Sequence, residues 1–258
     1  MIMKHRILSW NVRGLNDKAK RLRISNLLRL WKVDIVCFQE TKLVSISNCL
    51  VQSLWGCPYV DWCHVDSRGA SGGILLIWDR RVVSRIDSCL GKFVVACKFR
   101  NVEDGLMRAF AGVYGPNRDN VHRRMWEELA GLLSLWEVPW CIGGDFNVTL
   151  YFDERLRGDT YKSAMVDFAD FVVKQGLMDL PMVGGESTWS NICRGLDWIV
   201  FWFLRDGSFV TWVSYRKNFF GFVRIMLPFF FLVAVRSLER ELLNLKTCGS
   251  KRRVLWQK

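Results

Sequence analysis

The sequence predicts stacked β-sheets with helices packed outside them, and three observations carry that prediction. Apolar runs of strand length alternate with amphipathic helical stretches over the first 200 residues, which argues against both a helix bundle and a pure β-sandwich. Half of the 258 residues are hydrophobic, with 13 Trp and 17 Phe, so the chain can bury a substantial core. Four strand-like runs also finish on polar residues, which suits a site gathered at one edge of a sheet.

Taken in order, HRILSWNV (5–12) reads as a short apolar strand. AKRLRISNLLRLW (19–31) sets Ile24, Leu27, Leu28 and Trp31 on one helical face and Lys18, Arg21, Ser25 and Arg29 on the polar face. VDIVCFQE (33–40) reads as a buried strand ending in an acid. GGILLIW (72–78), FVVACKF (93–99) and MRAFAGVYG (107–115) are three further strands. A second helix covers 119–136, with Met125, Leu129, Leu132, Leu133 and Trp136 on one face. PWCIGGDFN (139–147) follows as a strand, and residues 163–177 form a third helix that Gly176 can end. STWSN and LDWIVFWF close the pattern. After residue 208 acids nearly vanish and the periodicity is lost, which marks a boundary between a body, 1–208, and a tail, 209–258.

The net charge of +12 suggests a nucleic-acid partner, but its distribution weakens that inference. The tail holds 10 Lys/Arg against Glu239 and Glu241, a net of +8, so the body carries only +4. Lys251, Arg252 and Arg253 could form a localisation or phosphate patch. Nine cysteines without a C-x-x-C pair, and only three histidines, argue against a zinc site. The odd count and the lack of a secretory leader point to reduced thiols in the nucleus or cytoplasm, not to a secreted protein. IMLPFFFLVAV (225–235) is apolar but contains Pro228 and falls short of the about 20 residues a spanning helix needs, which disfavours a membrane span.

The strand ends supply Asn11, Glu40, Tyr114, and Asp145 with Asn147. Oxygen donors such as Glu40 and Asn11 suit a hard divalent cation. Asp145 can accept a proton from an attacking water. Asn147, two residues on, would point to the same side of an extended chain and orient that water or a phosphate oxygen. Tyr114 can donate to the phosphate, and Gly115–Pro116 would fix the turn behind it. Gly143 and Gly144 are expected to let the backbone bend before the acid. Phosphodiester hydrolysis is the chemistry these types share.

SWNVRGL (9–15), QET (39–41), GVYGP (112–116), GGDFN (143–147) and RGLDWIV (194–200), in that order, resemble the motifs of the endonuclease/exonuclease/phosphatase superfamily. The likeness is strongest to the endonuclease domain of plant LINE-type non-LTR retrotransposons, related to apurinic endonucleases, and covers about residues 5–200. The resemblance implies a four-layer α/β sandwich, DNase-I-like, in which helices flank two packed mixed sheets. It implies Mg²⁺-dependent cleavage of DNA, with Mn²⁺ as a substitute and no small-molecule cofactor. By it Asn11 and Glu40 lie at the metal, Tyr114 at the phosphate, Asp145 is the base and Asn147 stabilises the transition state. Asp197 resembles the acid that orients a late catalytic histidine; the plainer reading is a polar residue pinning a strand start.

Two departures stand out. Arg13 occupies a position where apurinic endonucleases carry an acid. The family also ends in Ser-Asp-His, whereas this chain has only His5, His64 and His122. His122 reads as a solvated helix residue, and His5 and His64 have no better claim to catalysis. The tail offers an origin for the loss. Reverse-translated with one permitted choice of codons and read two bases late, VFWFLRDG (200–207) gives Phe-Leu-Val-Ser-Ser-Arg-Trp, VRIMLP (223–228) gives Ser-Asp-His-Ala-Pro, and NLKTCGSK (244–251) gives Phe-Glu-Asn-Met-Trp-Leu-Lys. A frameshift soon after Asp197 is therefore expected, with a poorly packed tail that exposes Phe229, Phe230 and Phe231 or docks them loosely against the body. Impaired DNA cleavage is the leading function; a lipid or small-phosphoester phosphodiesterase and a non-catalytic nucleic-acid binder are the alternatives.

Overall fold

The computed structural model describes residues 5–68, 71–150, 163–179, 189–191, 194–196, 199–204 and 231–235. They form two mixed β-sheets packed face to face with helices on both outer faces, the four-layer sandwich expected. The first sheet runs in the order β13 (Phe231–Val235), β1 (Arg6–Asn11), β2 (Ile35–Gln39), β4 (Ser71–Asp79), β3 (Val60–Arg68). The second runs β5 (Val83–Leu90), β6 (Val94–Asn101), β7 (Met107–Tyr114), β8 (Trp140–Asp145), β12 (Ile199–Leu204), β9 (Leu177–Asp179). β10 (Trp189–Asn191) and β11 (Arg194–Leu196) pair separately.

The period-two alternation of the strands sorts side chains into three apolar layers. Ile7, Ile35, Cys37, Ile74, Leu76 and Trp78 of the first sheet meet Val95, Cys97, Phe99, Phe110 and Cys141 of the second. Their neighbours Leu8, Trp10, Val36, Phe38, Leu75 and Ile77 face outward, onto helices α1 (Lys18–Trp31) and α2 (Asn48–Trp55). On the far side Val94, Ala96, Ala111, Val113 and Ile142 lie under α3 (Asp119–Leu133) and α4 (Ser163–Lys174). An alternating strand with two apolar faces has to be covered on both, and the four layers do that.

Each sheet has a β-α-β unit at its centre. α1 connects the parallel pair β1–β2, and α3 connects the parallel pair β7–β8. α1 starts at Asp17, whose carboxylate accepts the amides of Ala19 and Lys20 at 2.6 and 3.1 Å. It buries Ile24 and Leu28 but also Ser25, which belongs to the packed face and not to the polar one. α3 stops at Leu133, before Trp136, which instead stacks on Trp140 at 5.1 Å. Gly176, at φ +61, follows the end of α4 as anticipated.

Several elements were not legible. α2 is only eight residues long, although Ser47 and Gly56 (φ +81) cap its two ends. β3 and β5 are edge strands whose polar residues break the apolar pattern. β13 lies within the tail and within the run 225–235, and pairs parallel with β1 from Arg6↔Phe231 to Trp10↔Val235. Phe229, Phe230 and the side chain of Phe231 lie outside the described residues. Among the described residues no helix is long and apolar enough to cross a membrane.

Candidate active site

The two central parallel pairs end at the same edge of the sandwich. Asn11 is level with Gln39, and Tyr114 is level with Asp145. Open α/β sheets place ligands beyond the carboxyl ends of such strands. The sheets meet at this edge through a hydrogen bond in which Asn11 Nδ2 donates to Asp145 Oδ2 at 2.6 Å. Both residues are almost fully buried, so the bond is shielded from water.

Asp145 is held from a second side by the Asn147 amide, which donates to Oδ1 at 3.2 Å. Asn147 is not on an extended chain, as the two-residue spacing suggested. β8 ends at Asp145, and Asn147 adopts a left-handed φ of +55 that folds the segment back. Its Nδ2 donates to the Gly115 carbonyl at 2.7 Å, leaving a second amide hydrogen. Gly143 and Gly144 also act differently from the expectation. Both are within β8, and a Cβ on Gly144 would lie 2.0 Å from the Val113 carbonyl oxygen, so the residue permits close strand approach and not a bend. Gly115 lies behind the site under a similar limit, 2.1 Å from the Phe146 oxygen.

Glu40 immediately follows Gln39, at a φ of +55 that is costly for a non-glycine residue. The Gly14 amide donates to its carbonyl at 2.7 Å and secures that turn. Its carboxylate faces a cation, Lys42 Nζ at 3.1 Å. The Asn11 Oδ1 accepts the Arg13 amide at 3.1 Å, so Arg13 meets the site through its backbone, at φ +48. Glu40 and Asn11 present only hard oxygen donors, and an ammonium already stands at the carboxylate. That set fits Mg²⁺, which takes one or two carboxylates and keeps several waters. Among the described residues no three of His, Cys, Asp and Glu gather around a point.

Asp197 lies outside the described residues; β12 begins at Ile199, paired with Asp145. His122 is the main correction. It is fully buried on α3 and not solvated, with Nε2 3.2 Å from the Phe146 carbonyl and its ring stacked on Trp126. The carbonyl requires the proton on Nε2, so His122 braces the peptide between Asp145 and Asn147. Its spacing four residues before Trp126 was the available signal. Gln39 was also missed as a support: buried between the sheets' ends, it donates to Ser9 Oγ at 2.8 Å. His5 is likewise buried, bonded to Asn101 Oδ1 at 2.8 Å, and belongs to the core.

Solved structures share this architecture. An endonuclease/exonuclease/phosphatase family protein from Bacteroides thetaiotaomicron matches with a TM-score of 0.58 and 14% identity, covering 79% of this chain and 84% of its own. The AP endonuclease LMAP from Leishmania major matches with a TM-score of 0.58 and 16% identity, covering 77% and 78%. The mannosyl-6-phosphatase Bt3783 of Bacteroides thetaiotaomicron VPI-5482 matches with a TM-score of 0.56 and 14% identity, covering 78% and 85%. At such identities the likeness establishes the fold. No curated protein matches the sequence. The profile of the Endonuclease/Exonuclease/phosphatase family matches residues 8–222, and with that span the chain belongs to this family.

Proposed function

We propose that the chain is a divalent-metal-dependent DNA endonuclease of the plant LINE retrotransposon type, slowed by loss of the terminal Ser-Asp-His motif. The observation that carries the reading is the Asn11–Asp145 hydrogen bond, which joins a metal-side amide to a candidate base. Asn147 and Asn11 each occupy one lone pair on a different carboxylate oxygen of Asp145. Held in this way, the Asp145 carboxylate is oriented to take a proton from an attacking water. The second amide hydrogen of Asn147 and the Tyr114 hydroxyl donate to phosphate oxygens as negative charge builds there. Glu40 and Asn11 would hold Mg²⁺ or Mn²⁺, and such an ion would supply neutralisation of that charge. Asp197 has lost the histidine it would orient. In this reading residues 1–208 form the catalytic body and 209–258 are out-of-frame product; the protein acts on DNA in the nucleus or cytoplasm.

Plasmid nicking with Mg²⁺, beside lipid- and sugar-phosphoester assays and a DNA-binding titration, tests the proposal. The expected result is weak nicking that Asp145→Asn removes and that restoring the shifted frame raises by about 10²–10³, the usual worth of one preorganised donor. Faster turnover of a lipid or sugar phosphate than of DNA would select the small-phosphoester reading. DNA binding without nicking, even after frame restoration, would select the non-catalytic one.

A further inference from the structure

Two of the edge strands, β3 and β5, lie at the same side of the sandwich, and a group of side chains with no part in phosphate chemistry lies between them. Cys63 of β3 is buried in the same intersheet cluster as Cys97 of β6, on the opposite sheet. Arg85 of β5 donates from Nη1 to Cys63 Sγ at 3.2 Å. Its guanidinium also lies over the Trp78 ring at 5.7 Å and reaches Asp61 at 3.9 Å. A bulge sets this up. The β5–β6 register shifts between Arg85↔Phe99 and Asp87↔Lys98, which leaves Ile86 unpaired and outward. Bulges redirect neighbouring side chains, and here the cation is brought across the edge while Ser88 stays level with Cys97.

We propose that Cys63 is a peroxide-sensitive redox site that Cys97 closes into a disulfide between the two sheets. Thiolates form where a cation and a hydrogen-bond donor converge, and buried thiols without them stay inert. The four thiols of the intersheet layer follow that rule. Burial pushes Cys37 up to about 12 and Cys141 well above the ordinary thiol range. Cys97 is also raised, chiefly because it keeps its proton to donate to Cys63. Cys63 alone is lowered, first by that S–H bond and then, against burial, by Arg85 and Ser88. Asp61 is the opposing charge at the mouth, drawn off by its contact with Arg85.

The chemistry balances with a hydroperoxide as oxidant. The Cys63 thiolate attacks one peroxide oxygen, the O–O bond breaks, and alkoxide or hydroxide leaves, giving a sulfenic acid. The Cys97 sulfur then displaces hydroxide from Cys63, its thiol proton departs in the resulting water, and the S–S bond forms. Two thiols lose two electrons, and the peroxide takes them up. Arg85, partly exposed at the edge, marks the route by which the oxidant enters.

The test uses the reduced full chain and needs no enzymatic activity. Hydrogen peroxide is added, and non-reducing peptide mapping follows Cys63, Cys97 and the exposed Cys49 as internal reference. The expected product is a Cys63–Cys97 linked peptide formed before Cys49 is oxidised. In Cys97→Ser a sulfenic-acid trap should label Cys63 instead. The alkylation profile of Cys63, normalised to its own plateau, should place its midpoint about one pH unit or more below that of a free-thiol peptide measured alongside. Arg85→Gln should move the midpoint up and slow oxidation several-fold, while Arg85→Lys retains part of the effect. Cys63 remaining reduced while Cys49 oxidises, a sulfenic acid that persists beside a free Cys97, or Arg85→Gln without effect would each overturn the proposal. The comparison within the wild-type chain stands even where a variant does not fold.

Discussion

Asn11 and Asp145 reach one another because each ends a strand at the centre of its own sheet, and the sheets are packed so that these ends coincide. That meeting was legible: strand-end polar residues of suitable types could be read directly, while the left-handed turns at Glu40 and Asn147 could not, since neither is glycine. His122 was misread for a related reason. Whether a polar helix residue is wet depends on what covers it, and α4 and the Phe146 loop come from elsewhere in the chain. Replacing His122 by Ala removes the brace on the Phe146 carbonyl. In the frame-restored protein kcat should fall by roughly tenfold to a hundredfold, with KM little changed and partial rescue by His122→Gln, as steady-state nicking kinetics would read. An unchanged kcat would reduce His122 to a packing residue. A different residue governs the response to pH. Burial raises Asp34 from its ordinary 3.8 to about 6, with Asp79 adding to the rise and the Arg6 amide opposing it. A carboxyl raised on folding lends stability that is complete below its unfolded value and is lost as pH climbs through about 6. Asp34→Asn should therefore raise the urea midpoint at pH 7 and leave it unchanged below about pH 4.

At the scale of elements, the parallel pairs β1–β2 and β7–β8 serve as paired rails, and their spacing depends on small residues. A methyl at Gly144 would strike the Val113 carbonyl, and one at Gly112 would strike Cys37 Sγ, at 2.0 and 2.3 Å. The first contact is with backbone and cannot be relieved by a rotamer. Gly144→Ala should cost about 1–3 kcal/mol or more, seen as a lower urea midpoint. Gly131 makes the contrasting case. It lies on the exposed side of α3 with nothing within 4 Å of a built Cβ, so Gly131→Ala should stabilise by about 1 kcal/mol. Equal outcomes for the two substitutions would mean that close strand approach is not what Gly144 provides. The same physics explains which elements could be read in advance. Central strands are covered on both faces and keep long apolar runs, whereas β3 and β5 at the edges carry charges and a bulge, and so lose the pattern.

For the molecule as a whole, the four layers follow from strands that are apolar on both faces, and the sequence displayed that over the first 200 residues. It did not display β13, because a lone five-residue strand in a segment without periodicity has no signature of its own. β13 covers the outer edge of β1. Deleting residues 231–258 should uncover a row of amides and carbonyls ready to pair with another chain. Sedimentation at rising concentration should then show stronger self-association than that of the full chain; equal behaviour of the two chains would mean that β13 is not what protects this edge.

The pairing of β13 with β1 draws on main-chain groups, which every residue except proline supplies in full. A change of reading frame rewrites side chains and leaves the amides in place. A segment that lost its catalytic letters in this way would still fill an empty berth beside β1, provided a few β-prone residues such as Phe-Leu-Val-Ala-Val happened to arrive there. Architecture and chemistry would then wear away at different speeds: such a copy would fall silent as an enzyme long before it ceased to be a folded protein.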